Sequence, residues 1–296
     1  MSQRNQRSDE TLLFLHIPKA AGTTLARIAE RQFPGYRQYR LGENAQAAIE
    51  RFNGWPQKTR SRYRYIAGHF PFGVHEQVPG PCAYLTFLRE PLARTASFYR
   101  FVRNQPDHPL TRRMSASQKD SLLGFLKECD DPIFDNGMTR QLAGDWGQRP
   151  FGSCDEELFE QARSNLAQVD VVGLTEQFIP SLLLTAERFG WKRIGFHSLN
   201  QTLNASEEES DPTVQDYLRR LNQYDLRLYA LAETRFQQDC EALGDPFRER
   251  VKTFPRIHPP PSPLRESLDR IQSRSLREIV KHVLGVRKKV LNNTGG

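Results

Sequence analysis

Apolar residues in this chain fall into short, nearly continuous runs separated by longer stretches with helical spacing. The first run is Thr11–Ile17, and others lie at Tyr63–Ala67, Cys82–Leu88 and Val169–Leu174. Between and after them, apolar positions recur at helical intervals over Thr24–Arg31, Leu92–Val102, Lys119–Cys129, Glu156–Ala167 and Phe178–Phe189, the period of an amphipathic helix. Strands alternating with helices predict an α/β fold of three layers, a mostly parallel central sheet flanked by helices. Beyond residue 190 the pattern is helix-rich, notably over Thr213–Leu243, which predicts a helical C-terminal portion.

The chain has 296 residues, enough for one large α/β domain with a tail, and the pattern favours that over two smaller domains. A polar segment, 1–10, precedes a body at 11–257. His258–Pro263 is Pro-rich and predicts a stiff extended connector. In the remainder, 264–296, Leu268, Ile271, Leu276, Ile279, Val280, Val283 and Leu284 recur near helical spacing among arginines and lysines. This predicts a basic amphipathic tail suited to a membrane surface, a partner, or the body itself.

Charge changes the picture only once it is located. The net charge is +7, but the tail holds eight Lys or Arg against three Asp or Glu, leaving the body only +2. A nucleic-acid partner is therefore not expected, because such binders carry their basic stripe on the folded domain. The four cysteines, Cys82, Cys129, Cys154 and Cys240, form no C-x-x-C pair, so neither a zinc site nor a redox dithiol is indicated. No apolar run reaches membrane-spanning length, and Met1–Glu10 does not read as a signal sequence. A cytoplasmic setting is expected.

Candidate chemistry concentrates where strands run into helices. His16-Ile17-Pro18-Lys19-Ala20-Ala21-Gly22-Thr23-Thr24 joins the first run to the first helical stretch, a P-loop-like position where backbone N–H groups and the helix dipole favour an anion. Gly22 would allow close backbone approach, Thr23 and Thr24 would add hydroxyl donors, and Lys19 a mobile charge. The loop is not a Walker A sequence, because Lys19 precedes Gly22. Nor does Cys82–Leu88 end in the aspartate that would hold magnesium; it runs into Arg89 and Glu90. With Pro91 opening a helix, Arg89 and Ser97 outline a second anion pocket at the end of another strand. Two such pockets suit a ligand with two separated phosphates.

These residues resemble the carbohydrate sulfotransferases, especially the branch of heparan sulfate and chondroitin or dermatan O-sulfotransferases. His16 to Thr24 is similar throughout to H-[IV]-P-K-[TA]-x-[GS]-T-[ST]. Arg89, Glu90, Pro91, Arg94, Ser97 and Tyr99 match R-[DE]-P-x-x-R-x-x-S-x-Y. A weaker echo runs through Asn136, Thr139 and Arg140 and through Val172 to Glu176, so the resemblance spans roughly Leu12 to Trp191. It implies that 11–257 is a sulfotransferase domain using 3′-phosphoadenosine-5′-phosphosulfate (PAPS) as donor, with 3′,5′-adenosine bisphosphate as product. It further implies that Lys19, Ala20, Ala21, Gly22, Thr23 and Thr24 cradle the 5′-phosphosulfate, and that Arg89 and Ser97 hold the 3′-phosphate. Ala20 departs from the more usual threonine, and the Golgi anchor of the eukaryotic relatives is not seen, so work in a bacterial cytoplasm is expected.

Sulfuryl transfer needs a base for the acceptor hydroxyl and stabilisation of the leaving phosphate oxygen. A histidine suits the first task near neutral pH. His69 follows Tyr63–Ala67 through Gly68 and so is expected at the same sheet edge as Lys19; His16 and Glu90 are the rivals. Lys19 suits the second task, and the scheme calls for no metal. For a saccharide or glycoconjugate acceptor, Arg64, Phe72 and Arg140 are the candidate contacts. Lys58, Arg60, Arg62 and Arg64 alternate as if on one face of an extended segment. Two other functions remain open at this level: a P-loop-type kinase using ATP, and a non-catalytic binder of anionic glycans.

Overall fold

The computed structural model describes residues 10–42, 44–196 and 207–257. The Pro-rich connector and the basic tail lie outside the described residues. From the start of the body, β1 (Thr11–Leu15) leads to α1 (Gly22–Glu30), the short β2 (Gln38–Arg40), α2 (Ala45–Asn53) and the single-turn α3 (Gln57–Arg60). Then come β3 (Tyr65–Gly68), β4 (Cys82–Leu88) and α4 (Pro91–Arg103). Three short helices, α5 (Pro109–Arg113), α6 (Ala116–Asp120) and α7 (Leu122–Glu128), precede α8 (Gly137–Ala143) and α9 (Glu156–Gln168). The chain continues through β5 (Val171–Leu174), α10 (Phe178–Phe189), α11 (Pro212–Leu221), α12 (Gln223–Ala242) and α13 (Gly244–Ile257).

The five strands form one sheet in the order β2-β3-β1-β4-β5, and every pairing is parallel. The expected α/β architecture, a parallel sheet flanked by helices with a helical C-terminal part, is the one found. All five residues of β1 are buried, because helices cover both faces of a parallel sheet; that is why the run reads as continuous rather than alternating. Among the described residues no helix is long and apolar enough to cross a membrane.

Register places the functional edge. Leu15 pairs with Gly68 of β3 and with Thr86 of β4, so His16, His69 and Arg89 leave the sheet at neighbouring carboxyl ends. Parallel strands all point one way, and the loops after them collect there.

Several boundaries differ from expectation for local reasons. Lys119–Cys129 is two helices, since Ser121 is extended (φ −143°, ψ 153°) and caps α7 through Gly124 N at 2.9 Å. Thr213–Leu243 likewise breaks at Asn222, whose Oδ1 accepts from Thr95 Oγ1 at 3.1 Å and whose Nδ2 donates to Leu218 O. The extended basic face expected over Lys58–Arg64 does not form. Residues 57–60 make a helical turn, and the Trp55 and Tyr63 rings stack across the segment at 5.8 Å.

Candidate active site

The loop after β1 is shaped by two non-glycine residues in the left-handed region, Lys19 (φ 68°) and Ala21 (φ 54°). Such turns bring successive N–H groups together. Ala20 is buried and its amide turns back to Ile17 O at 3.3 Å, so it shapes the turn rather than offering a donor. Ala21 opens α1 with no side-chain cap, leaving the first amides of that helix without a side-chain acceptor. The hydroxyls of the exposed Thr23 and the half-buried Thr24 have no hydrogen-bond partner among the described residues. Together these are donors prepared for an anion.

Gly22 has a different reason from the one the sequence suggests. Its φ is not left-handed, and a Cβ there would collide with the His16 imidazole. The glycine makes room for a histidine ring, and its amide is the first of α1.

Arg89 comes from the end of β4. It is only 7% exposed, yet Nη1 donates to Lys19 O at 3.1 Å and Nε has no partner. A buried, unpaired guanidinium nitrogen is costly unless a ligand meets it. Burial, and secondarily the Arg89 and Arg100 charges, push the Lys19 ammonium below its ordinary pKa. Burial lowers Arg89 too, opposed by Glu176 and Glu90, and Arg100 is lowered by burial and by Arg89. Three cations crowd one edge; Arg100 is ion-paired with Glu209, and a bound anion would relieve Lys19 and Arg89. The acids nearby have other duties: Glu90 caps α4 through Leu92 N and Ala93 N, and Glu176 accepts from Glu90 N and from Tyr229 OH at 2.8 Å. Ser97, half-buried on α4, has no hydrogen-bond partner among the described residues. The Lys19 ammonium rests 4.3 Å from the centre of the Phe101 ring, one helical turn beyond Ser97.

The two histidines differ in kind. His16 lies between the Phe14 and His69 rings, with centroids at 5.3 and 4.3 Å. Burial, then the charges of His69, Arg40 and Lys19, depress its pKa to about 3. It stays neutral and packed. His69 is exposed at the strand end, and its Nδ1 lies 2.8 Å from His16 O. A carbonyl only accepts, so Nδ1 carries the proton and Nε2 keeps its lone pair. Burial of the ring's surroundings lowers the His69 pKa, against a smaller opposite effect of the bond to His16. The result is a neutral imidazole whose Nε2 has no hydrogen-bond partner among the described residues, beside the end of β1.

Residues 5–232 match the family model described as "Sulfotransferase family". The chain belongs to the sulfotransferase family. Among curated relatives, it is 27% identical to heparan-sulfate 6-O-sulfotransferase 2 of Danio rerio over 96% of this chain and 67% of that protein. It is 24% identical to heparan-sulfate 6-O-sulfotransferase 1 of Homo sapiens over 79% of this chain and 67% of that protein. The human heparan-sulfate 6-O-sulfotransferase 2 is 25% identical, with 45% of its length matched. The protein is thus a sulfotransferase.

Not every residue expected at the site of this sulfotransferase is there. Arg64 precedes β3, at the opposite end of the strand from His69, and its Nη1 donates to Ser61 O and Tyr63 O. Arg140 is 4% exposed and wholly engaged by Asp135, Asp145 and the carbonyls of Asp135, Arg149 and Pro150. It ties the 145–153 loop to α8. Phe72 is buried and stacks on Tyr84 at 4.6 Å, so it packs the loop after His69. Arg94 is fully buried, 3.6 Å from the equally buried Asp225, beneath α4 rather than in the anion pocket. Conversely, Arg100, Phe101 and Gln141 stand at the site unannounced. The spacing of Ser97, Arg100 and Phe101 on one helix could have flagged the first two.

Two consequences are measurable. Arg89→Ala in this sulfotransferase is expected to weaken binding of 3′,5′-adenosine bisphosphate by roughly 10- to 100-fold, the equivalent of one charge-assisted bond of about 1.5–3 kcal/mol. Calorimetric titration reads it, and unchanged affinity would place the bisphosphate elsewhere. The His16 imidazole binds its proton far more weakly folded than unfolded, so its contribution to stability is full above about pH 6.5 and is lost as the pH falls towards about 3. Urea midpoints measured from pH 7.5 to 4 should therefore decline, and His16→Gln should decline less steeply.

Proposed function

We propose that this enzyme moves the sulfuryl group of PAPS to a hydroxyl of a saccharide, with His69 as the base. The observation that carries this reading is the convergence at one sheet edge of the Lys19 loop, Arg89 bonded to it, and a histidine whose outer nitrogen has no partner among the described residues.

The donor supplies a sulfuryl group on a good leaving phosphate and departs as 3′,5′-adenosine bisphosphate. Its two phosphates match two groups of cations and orphan donors: Lys19 with the amides opening α1, and Arg89 with Ser97. His69 Nε2 takes the acceptor hydroxyl proton as the oxygen bonds to sulfur, and the electron pair of the broken S–O bond stays on the phosphate oxygen. Lys19 and the α1 amides take up that charge. Since cationic side chains and amides carry it, activity is expected to persist in EDTA.

The curated relatives are named for the 6-O position of heparan sulfate, which makes heparan-type oligosaccharides the first acceptors to try. The test is transfer of radiolabelled sulfur from PAPS to such glycans, with the sulfated position mapped on the product. No transfer to any glycan, or stabilisation by ATP with magnesium but not by 3′,5′-adenosine bisphosphate, would reject the reading in favour of a glycan binder or a kinase.

A further inference from the structure

Among the described residues His69 bonds to one acceptor, the His16 carbonyl oxygen, and that oxygen has a second donor. Gln141 Nε2 reaches it at 3.2 Å from α8 and also donates to Phe70 O at 2.9 Å. The Gln141 backbone carbonyl accepts from Phe72 N at 2.9 Å. One residue therefore grips the end of β1 and, at two points, the backbone just after His69. We propose that Gln141 is the positioning residue of the catalytic base: it holds the His16 carbonyl and the 70–72 backbone so that His69 presents Nε2 to the acceptor. This inference rests on the reading of His69 as the base.

The support of α8 gives the grip its stiffness. Asp225 accepts from Met138 N, Thr139 N and Thr139 Oγ1 at 2.7–3.1 Å, and Asn136 Oδ1 accepts from Tyr224 N and Asp225 N. Asn165 Nδ2 donates to Leu142 O at 2.9 Å on the other side. A helix of only seven residues would not be stable alone, so these buried bonds hold it and, through it, Gln141. The Asn136, Thr139 and Arg140 echo noted in the sequence thus acquires a purpose: none of the three reaches the reacting edge, but they seat the residue that does. A side chain with two amide hydrogens directed to two carbonyls is also specific, since a carboxylate of the same shape can donate to neither.

The experiment compares Gln141→Met, Gln141→Glu, His69→Ala and the Gln141→Met/His69→Ala double variant in the full chain. A displacement of about 1 Å at a reacting group is worth on the order of 100-fold in rate. Gln141→Met and Gln141→Glu are expected to lose 10- to 100-fold in kcat, with the affinity for 3′,5′-adenosine bisphosphate within twofold of the parent. Without the grip on the His16 carbonyl and the 70–72 backbone the ring is loosened and better hydrated, which relieves the burial that lowers its pKa. The His69 pKa then rises, so the acid limb of kcat/KM should move to higher pH. In the double variant the second substitution should cost nothing further, because the two residues act as a unit. Multiplied losses, or an unmoved acid limb in variants that fold and bind the bisphosphate normally, would overturn the inference alone. A fully active His69→Ala would overturn the base, and the inference with it.

Discussion

Replacing His69 with alanine is expected to lower kcat by about 10²–10⁴-fold, the usual contribution of a positioned general base, while leaving affinity for 3′,5′-adenosine bisphosphate unchanged. The split follows from geometry. Nδ1 is committed to His16 O at 2.8 Å, and Arg89 donates to Lys19 O rather than to the imidazole. Because burial lowers the His69 pKa, the neutral base persists somewhat below its ordinary value of about 6.5. The rate of the parent enzyme should accordingly be level through neutral pH and fall only on the acid side of that value, and the limb should vanish in the alanine variant. Single-turnover transfer of labelled sulfur at several pH values reads both. His16→Gln is the contrast: His16 is packed and held neutral with a pKa of about 3, so its loss should act on stability rather than on the limb. A His69→Ala enzyme with an intact rate and limb would assign the proton to another group.

Lys19→Ala is the second large effect, an expected loss of about 10²–10³-fold in kcat, comparable with removing a preorganised charge-stabilising donor. At rest the ammonium is parked on the Phe101 ring at 4.3 Å. A contact of that type contributes about 0.5–1 kcal/mol at an exposed site, less than a charge-assisted bond to phosphate at about 1.5–3 kcal/mol. The lysine is therefore free to leave the ring when the anion enters. Burial, and secondarily the Arg89 and Arg100 charges, hold the Lys19 pKa down, and an anion beside it opposes both. Lys19→Arg is not expected to rescue the rate, since a planar fork on a longer stem does not replace a compact point charge at the turn. Quench-flow measurement of the transfer step tests this. An alanine variant whose chemical step is as fast as the parent's would remove Lys19 from the leaving-group role.

Much of the fold was legible because its strands are buried on both faces and therefore read as plain apolar runs. The helix Phe178–Phe189 even has the boundaries its pattern predicts. What escaped was short, polar or locally broken. β2 is three residues, Gln-Tyr-Arg, at the edge of the sheet, and it has no apolar signal because one side of it needs no partner. α2 and α8 were unseen, and the breaks at Ser121 and Asn222 depend on side chains bonding to backbone or across to another helix, which periodicity does not register. At the candidate site, Lys19 and Arg89 are readable because both stand where a strand runs into a helix, and the fold brings those two ends into contact. Arg64 and Arg140 could not be rejected, since charge in a sequence does not say whether it meets solvent, ligand or an internal acid.

By itself the amino-acid order determined the layered parallel architecture, the two strand-to-helix corners proposed to hold the donor, and the histidine that follows Gly68, since each rests on spacing within a few residues. Only the tertiary structure decided that Gly22 serves His16, that Arg89 touches the Lys19 turn, that Arg140 is spent on aspartates, and that Gln141 shares a carbonyl with His69. Those facts join residues up to 125 positions apart. Hydrogen bonds and burial depend on distance in space, and distance along the chain carries no record of them until the sheet and its helices have brought the strand ends together.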